Sequence, residues 1–163
     1  MVSKKVRLGV VLLFLVVLTG CQTTTSYYRG ASAEEMNVVT LNGDQAGEQR
    51  WQDLYLQIDY SLEKSAGQLR FDGEFTYTQT TKTIFQQVHD LKLKLYLLDD
   101  QMRVIDYRQV ARSLGTSLES RTTFSEQFDL DEQVAAFTFG YDGVLIDDEQ
   151  GSEIIWKVPQ RNS

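Results

Sequence analysis

The chain has 163 residues with one cysteine, one histidine and one proline, and it carries 16 lysines and arginines against 23 aspartates and glutamates. An acidic protein repels phosphate backbones and anionic headgroups, which disfavours a DNA-, RNA- or polybasic lipid-binding role. A single cysteine leaves no internal disulfide, so stability has to come from packing within a body of ordinary domain size.

The first 21 residues differ in character from everything after them. Lys4, Lys5 and Arg7 precede an apolar run from Leu8 to Leu18 that is interrupted only by Gly9. A charged end, a short apolar middle and a small-residue end make a secretory signal peptide over residues 1–20. The run falls short of the roughly 20 apolar residues that a membrane helix needs. The polar Gln22-Thr23-Thr24-Thr25-Ser26 that follows holds no basic stop-transfer cluster.

Leu18-Thr19-Gly20-Cys21 resembles the lipobox of bacterial lipoproteins, a Leu, then small or polar residues, then Cys. The resemblance implies cleavage before Cys21, a diacylglycerol thioether on Cys21, and acylation of the new amine. Two or three acyl chains hold a protein on a bilayer almost permanently, where one gives only marginal binding. In Gram-negative lipoproteins an Asp after the Cys commonly signals inner-membrane retention. Gln22 stands there, so the resemblance implies an outer-membrane protein that faces the periplasm. Without residues 1–20 the chain keeps 13 basic and 23 acidic residues, a side-chain charge of −10.

Residues 21–48 form the lipidated Cys and a tether. Gln22 to Ala33 is rich in Thr, Ser and Gly and reads as a flexible spacer. Met36 to Leu41 either pairs as a short strand, with Asn42-Gly43 as its turn, or stays disordered.

The body, residues 49–160, follows a period of two, the mark of half-buried strands. Leu54, Leu56, Ile58, Tyr60 and Leu62 share one face, opposite Tyr55, Gln57 and Asp59. After the Ser65-Ala66-Gly67 turn, Leu69, Phe71, Phe75 and Tyr77 alternate with polar residues. Gly73 falls on the inward series, where a bulge or a close neighbouring backbone is expected. Gln79 to Asp90 reads as a connection pegged by Ile84, Phe85 and Val88. Leu91, Leu93, Leu95 and Leu97 then interleave with Lys92, Lys94 and Tyr96, and the lysines would guard this strand if it lay at an edge. Asp99-Asp100-Gln101 turns the chain into a strand over Met102 to Val110. Ala111 to Ser120 reads as a polar link. Phe124 and Phe128 define another strand, Ala135 to Leu145 the next, and Ile154, Trp156 and Val158 end the last, which Pro159 stops.

About seven strands with regular turns and no long helical period predict an all-β antiparallel β-sandwich, with a small β-barrel as the alternative. The Cys…Trp…Cys signature of antibody domains is missing, so the immunoglobulin-like label rests on strand count. Trp51 and Trp156 are expected in core or rim packing.

Chemistry is sparse. His89, beside Asp90, is expected at the surface, since a triad needs a nucleophile set against it and a zinc site draws on several Cys or His ligands. The acids gather in turns at Asp99-Asp100, at Asp129 with Asp131-Glu132, and at Asp142 with Asp147-Asp148-Glu149. Calcium takes six to eight oxygens, and these turns lack the spacing of a calcium loop. No catalytic residue, metal ligand or cofactor is assigned, and Cys21 is the one site residue, for lipidation. The chain is expected to be a non-enzymatic binding or assembly module, held to a membrane by lipid and contacting another envelope protein. The alternative is a small metal- or glycan-binding lipoprotein that uses its acidic loops; a third reading is a hydrolase with paired carboxylates.

Overall fold

The computed structural model describes residues 27–41, 47–147 and 151–161. The leader 1–20, Cys21, the start of the tether, the Asn42-Gly43 turn and Asp148-Glu149 lie outside the described residues. Nine strands and one short helix occur among those described, in the order β1 (Val39–Thr40), β2 (Glu48–Gln52), β3 (Leu56–Ser65), β4 (Gln68–Tyr77), α1 (Gln79–Ile84), β5 (Gln87–Leu98), β6 (Val104–Ser117), β7 (Thr122–Asp129), β8 (Ala136–Asp147) and β9 (Gly151–Lys157). They form two packed antiparallel sheets. One has the order β2-β3-β4-β7. In the other, β6, β5 and β8 are adjacent, and β1 and β9 share the far side of β8. The sheets do not close into a barrel. Counted from β3, the first, second and fifth strands make one sheet and the fourth, third, sixth and seventh the other, which is an immunoglobulin-like arrangement.

The alternation read from the sequence is what the sheets bury. Leu56, Ile58, Leu69, Phe71, Phe75, Leu91, Leu93, Leu95, Phe128, Phe137 and Phe139 are fully enclosed between the layers. Ring pairs knit the two sheets: Phe71 meets Phe137 at 4.9 Å and Tyr60 meets Phe139 at 5.4 Å, both edge-on. Such pairs contribute about 0.5–1.5 kcal/mol each beyond the area they bury. Gly73 lies in the inward series as expected, and it is the close approach that selects it. A Cβ there would sit 2.6 Å from the Asp59 carbonyl oxygen and 2.8 Å from the Phe124 ring.

Several boundaries differ from the sequence reading, each for a local reason. The strand expected from Trp51 onward is a hairpin. Asp53 Oδ1 accepts the backbone N–H groups of Tyr55 and Leu56, both at 2.9 Å, and this side-chain turn folds β2 back along β3. Leu54 is therefore at a turn and exposed. The connection after β4 contains α1, whose N-cap Thr78 accepts from the Thr81 N–H. Thr78 and Thr81 hydroxyls also donate to the carbonyls of Leu54 and Tyr55, which ties the helix to the turn. The link expected over residues 111–120 is mostly strand, because Ala111 to Ser117 pairs with Gln87 to Leu93. Strand β5 is central, between β6 and β8, so Lys92 and Lys94 guard no edge.

The largest departure is the spacer. From Tyr27 on, the chain folds as a strap across the outer face of the five-stranded sheet. Gly30 and Ala33 N–H groups donate to the Val104 and Met102 carbonyls, and Ser32 pairs with Gln160. Ala31 and Ala33 are fully buried. Tyr28 stands edge-on over Tyr96 at 5.4 Å and over Tyr107 at 5.1 Å. Together with Leu98, Val104 and Ala136 they form a second, smaller core outside the sandwich. Tyr96, outward by parity, is thus enclosed.

Candidate functional site

The two open sides of the sandwich are closed differently. On one, Arg108 of β6 donates to Glu126 and to the Gln127 carbonyl, both at 2.7 Å, and lies over the Phe128 ring, joining β6 to β7. On the other, the Asp53 turn reaches β8 and β9. Tyr141 donates its hydroxyl to Asp53 Oδ2 at 2.6 Å, Lys157 Nζ lies 3.7 Å from the same oxygen, and Tyr55 donates to Glu153 at 3.1 Å. Burial, then the hydrogen bond to Asp53, pushes the Tyr141 phenol well above its ordinary range. A buried acid beside a tyrosine and a lysine has the composition of a catalytic set. Its geometry is that of a clasp: the Asp53 side chain is 7% exposed and both its oxygens are already engaged. The sequence reading missed this cluster, and its only early signal was an Asp placed two residues before a Tyr at a break in the alternation.

Edge strand β9 carries the site with the most accessible binding chemistry. The sequence reading expects Trp156 in core or rim packing and names Ile154, Trp156 and Val158 as the residues that end the strand. Instead Ile155 is the buried one, and Ile154 and Trp156 point out, 73% and 61% exposed. Three consecutive apolar residues, Ile154-Ile155-Trp156, leave the parity undetermined by pattern alone. Register with β8 decides it. Ile155 lies opposite Gly143, whose missing side chain lets backbone and Leu91 approach, while Ile154 and Trp156 lie opposite the half-exposed Val144 and Asp142. Trp51, by contrast, is in the core, against Phe139.

Two cross-strand rows run over the uncovered part of this sheet and end on β9: Leu114, Asp90, Val144 and Ile154, then Arg112, Lys92, Asp142 and Trp156. The charges within them are paired. Arg112 holds Asp90 in a two-point contact at 2.9 and 3.1 Å, and this hydrogen bonding keeps the Asp90 carboxyl below the usual carboxylate range. Lys92 and Lys94 both reach Asp142. A polar groove of about 230 Å³ lies between Glu34–Met36 of the strap and Trp156–Val158, with the indole on its wall.

The other sequence candidates do not converge. His89 is exposed beside a register shift in β5, and its neighbour Asp90 belongs to Arg112. Asp99 Oδ1 accepts the N–H groups of Gln101 and Arg103, and Asp131 Oδ1 that of Gln133, so both acids shape turns. Asp147 sits at the opposite end of the sheet from those turns, and Asp142 on its outer face. No group of three or more potential metal ligands occurs among the described residues. A hollow of about 700 Å³ on the outer face of the four-stranded sheet is walled by ion pairs such as Arg50 with Asp59 at 2.6 Å and Arg121 with Glu74 at 2.8 Å. It offers no exposed apolar anchor.

No protein-family model matches the chain, and no significant match was found among curated proteins or solved structures.

Proposed function

We propose that the chain is a lipid-anchored protein of the bacterial envelope, facing the periplasm from the outer membrane, and that it works as a non-enzymatic binding or assembly module. The lipobox-like Leu18-Thr19-Gly20-Cys21 supports the anchor. The observation that carries the binding role is β9, an edge strand that presents Ile154 and Trp156 to solvent. Edge strands are normally blunted by charge, proline or a bulge, and a long apolar one is a template for another strand. Strand addition to such an edge draws affinity from backbone hydrogen bonds and specificity from alternate side chains.

Two measurements test the reading. Changing Cys21 to Ser is expected to abolish acyl labelling and membrane attachment; normal labelling of that variant refutes the anchor. A photoreactive residue at Trp156 is expected to capture a protein partner in intact cells, whereas one at Gln127 on the opposite sheet is not. Equal capture from both positions removes β9 from the proposal.

A further inference from the structure

Resting on that reading of β9, we infer that the strand's partner is β9 of a second copy of this chain. The order Glu153-Ile154-Ile155-Trp156-Lys157 is self-complementary about its centre. Two such strands laid antiparallel about a two-fold axis through Ile155 place Glu153 of each opposite Lys157 of the other. The same register places each Ile154 opposite the other copy's Trp156. Direct cross-strand pairs share a face and interact most strongly of all sheet neighbours. The outer face therefore gains two Ile–Trp pairs, which covers the most exposed apolar side chains of the strand. The inner face gains two pairs of opposite charge. A contact that uses the same patch on both copies closes on itself, so it ends in a dimer and not a fibre.

The groups that would meet are already held near the edge. Tyr55 fixes Glu153, and Lys157 extends over the Trp51 ring at 5.7 Å toward Asp53. The symmetry also fits a common membrane. A two-fold axis normal to the joined sheet keeps both straps on the same face, because Tyr28 packs on the outer face of Tyr96 and Tyr107. Both copies then present Tyr27, the first described residue of the strap, on one side of the assembly. A pairing of about five residues per copy falls below the roughly 1,200–2,000 Å² of a stable soluble interface. Holding both copies on one surface raises their effective concentration above that in solution, which favours such a contact.

The test uses the lipidated full chain in phospholipid vesicles, with donor- and acceptor-labelled copies mixed and energy transfer measured. Wild-type copies are expected to give transfer well above that of randomly mixed anchors. Ile154→Glu, at an exposed position, is expected to remove it without shifting the melting temperature. Glu153→Lys alone and Lys157→Glu alone each create two like-charge pairs and are expected to weaken association about tenfold. Mixing these two variants places opposite charges together again and is expected to restore transfer to within about twofold of wild type. Restoration in the mixture also shows that both variants fold. Transfer at the random level for the wild type overturns the inference. If Ile154→Glu then still reduces capture of a different envelope protein, the binding edge stands with another occupant. If it changes neither readout, both the inference and the role of β9 fall.

Discussion

The two halves of the outer face of the five-stranded sheet are built from the same strands and end differently. Over Ala136 to Tyr141, every residue of β8 is buried, on both faces, because the strap and its tyrosines lie outside. Over Asp142 to Asp147 the same strand alternates between buried and half-buried, and its outer neighbours are charged or, on β9, apolar and bare. One face of a sandwich sheet is normally left to solvent. Here half of it became a second core, which binds residues 27–41 into the domain. The other half keeps a paired-charge surface with an apolar edge.

The comparison is sharpest at its aromatic residues. Tyr96→Ala in the covered half is expected to cost about 3–5 kcal/mol, since it empties the centre of the strap's core. Urea unfolding measures this, and a loss under 1 kcal/mol would mean that the strap contributes little.

Alkaline pH tests the interior under the same logic. Burial pushes the Tyr77 phenol from its ordinary 10.0 up to about 12, and raises Tyr96 and Tyr141 as well. A neutral phenol favoured by the fold stabilises fully below the unfolded value near 10, and that contribution is lost as pH rises toward the folded value. For Tyr77 this amounts to about 2 kcal/mol lost by roughly pH 12, nearing about 3 kcal/mol above it. Phenolate absorbance is expected to rise together with loss of β structure; ionisation of every tyrosine with the fold intact would contradict it.

Gly140 marks the seam between the halves. A Cβ there would land on the Lys157 carbonyl oxygen and within 2.9 Å of the Met36 methyl and the Tyr96 ring. Gly140→Ala is expected to cost about 1–3 kcal/mol by lifting the strap and β9 from β8. Faster hydrogen exchange confined to residues 30–40 and 153–157 would locate the effect. Trp156→Ala is expected to change stability by less than about 0.5 kcal/mol, the ordinary range for an exposed site, while removing association at β9. A large loss of stability there would make the indole part of the fold and not of a surface.

How far the sequence led can be read from the same residues. Leu91 to Leu97 and Phe137 to Tyr141 gave the sandwich directly, because a residue with a period of two and a buried face states its own orientation. Ile154-Ile155-Trp156 could not, since three adjacent apolar residues fit either parity and only the register with Gly143 chooses. The strap was hidden for a related reason. Ala31 and Ala33 are small, and they bury completely only because Tyr96, Tyr107 and Val104, some 70 residues later, provide the surface. The Asp53 clasp depends on Tyr141, which lies 88 residues away. Local pattern carries strand faces; it does not carry which strand meets which, and both the clasp and the exposed edge are products of that pairing.

The strap also sets a leash. Since the fold has begun by Tyr27, only six peptide steps separate it from Cys21, a span of at most about 20 Å when fully drawn out. If Cys21 is lipid-anchored as proposed, six steps would hold the domain close to the surface, where a tether running to residue 48 would let it wander over a wide shell. On such an anchor the proposed search for a partner would be two-dimensional, a matter of turning and gliding over a surface, with β9 carried round at the flank of the sheet like the rim of a coin.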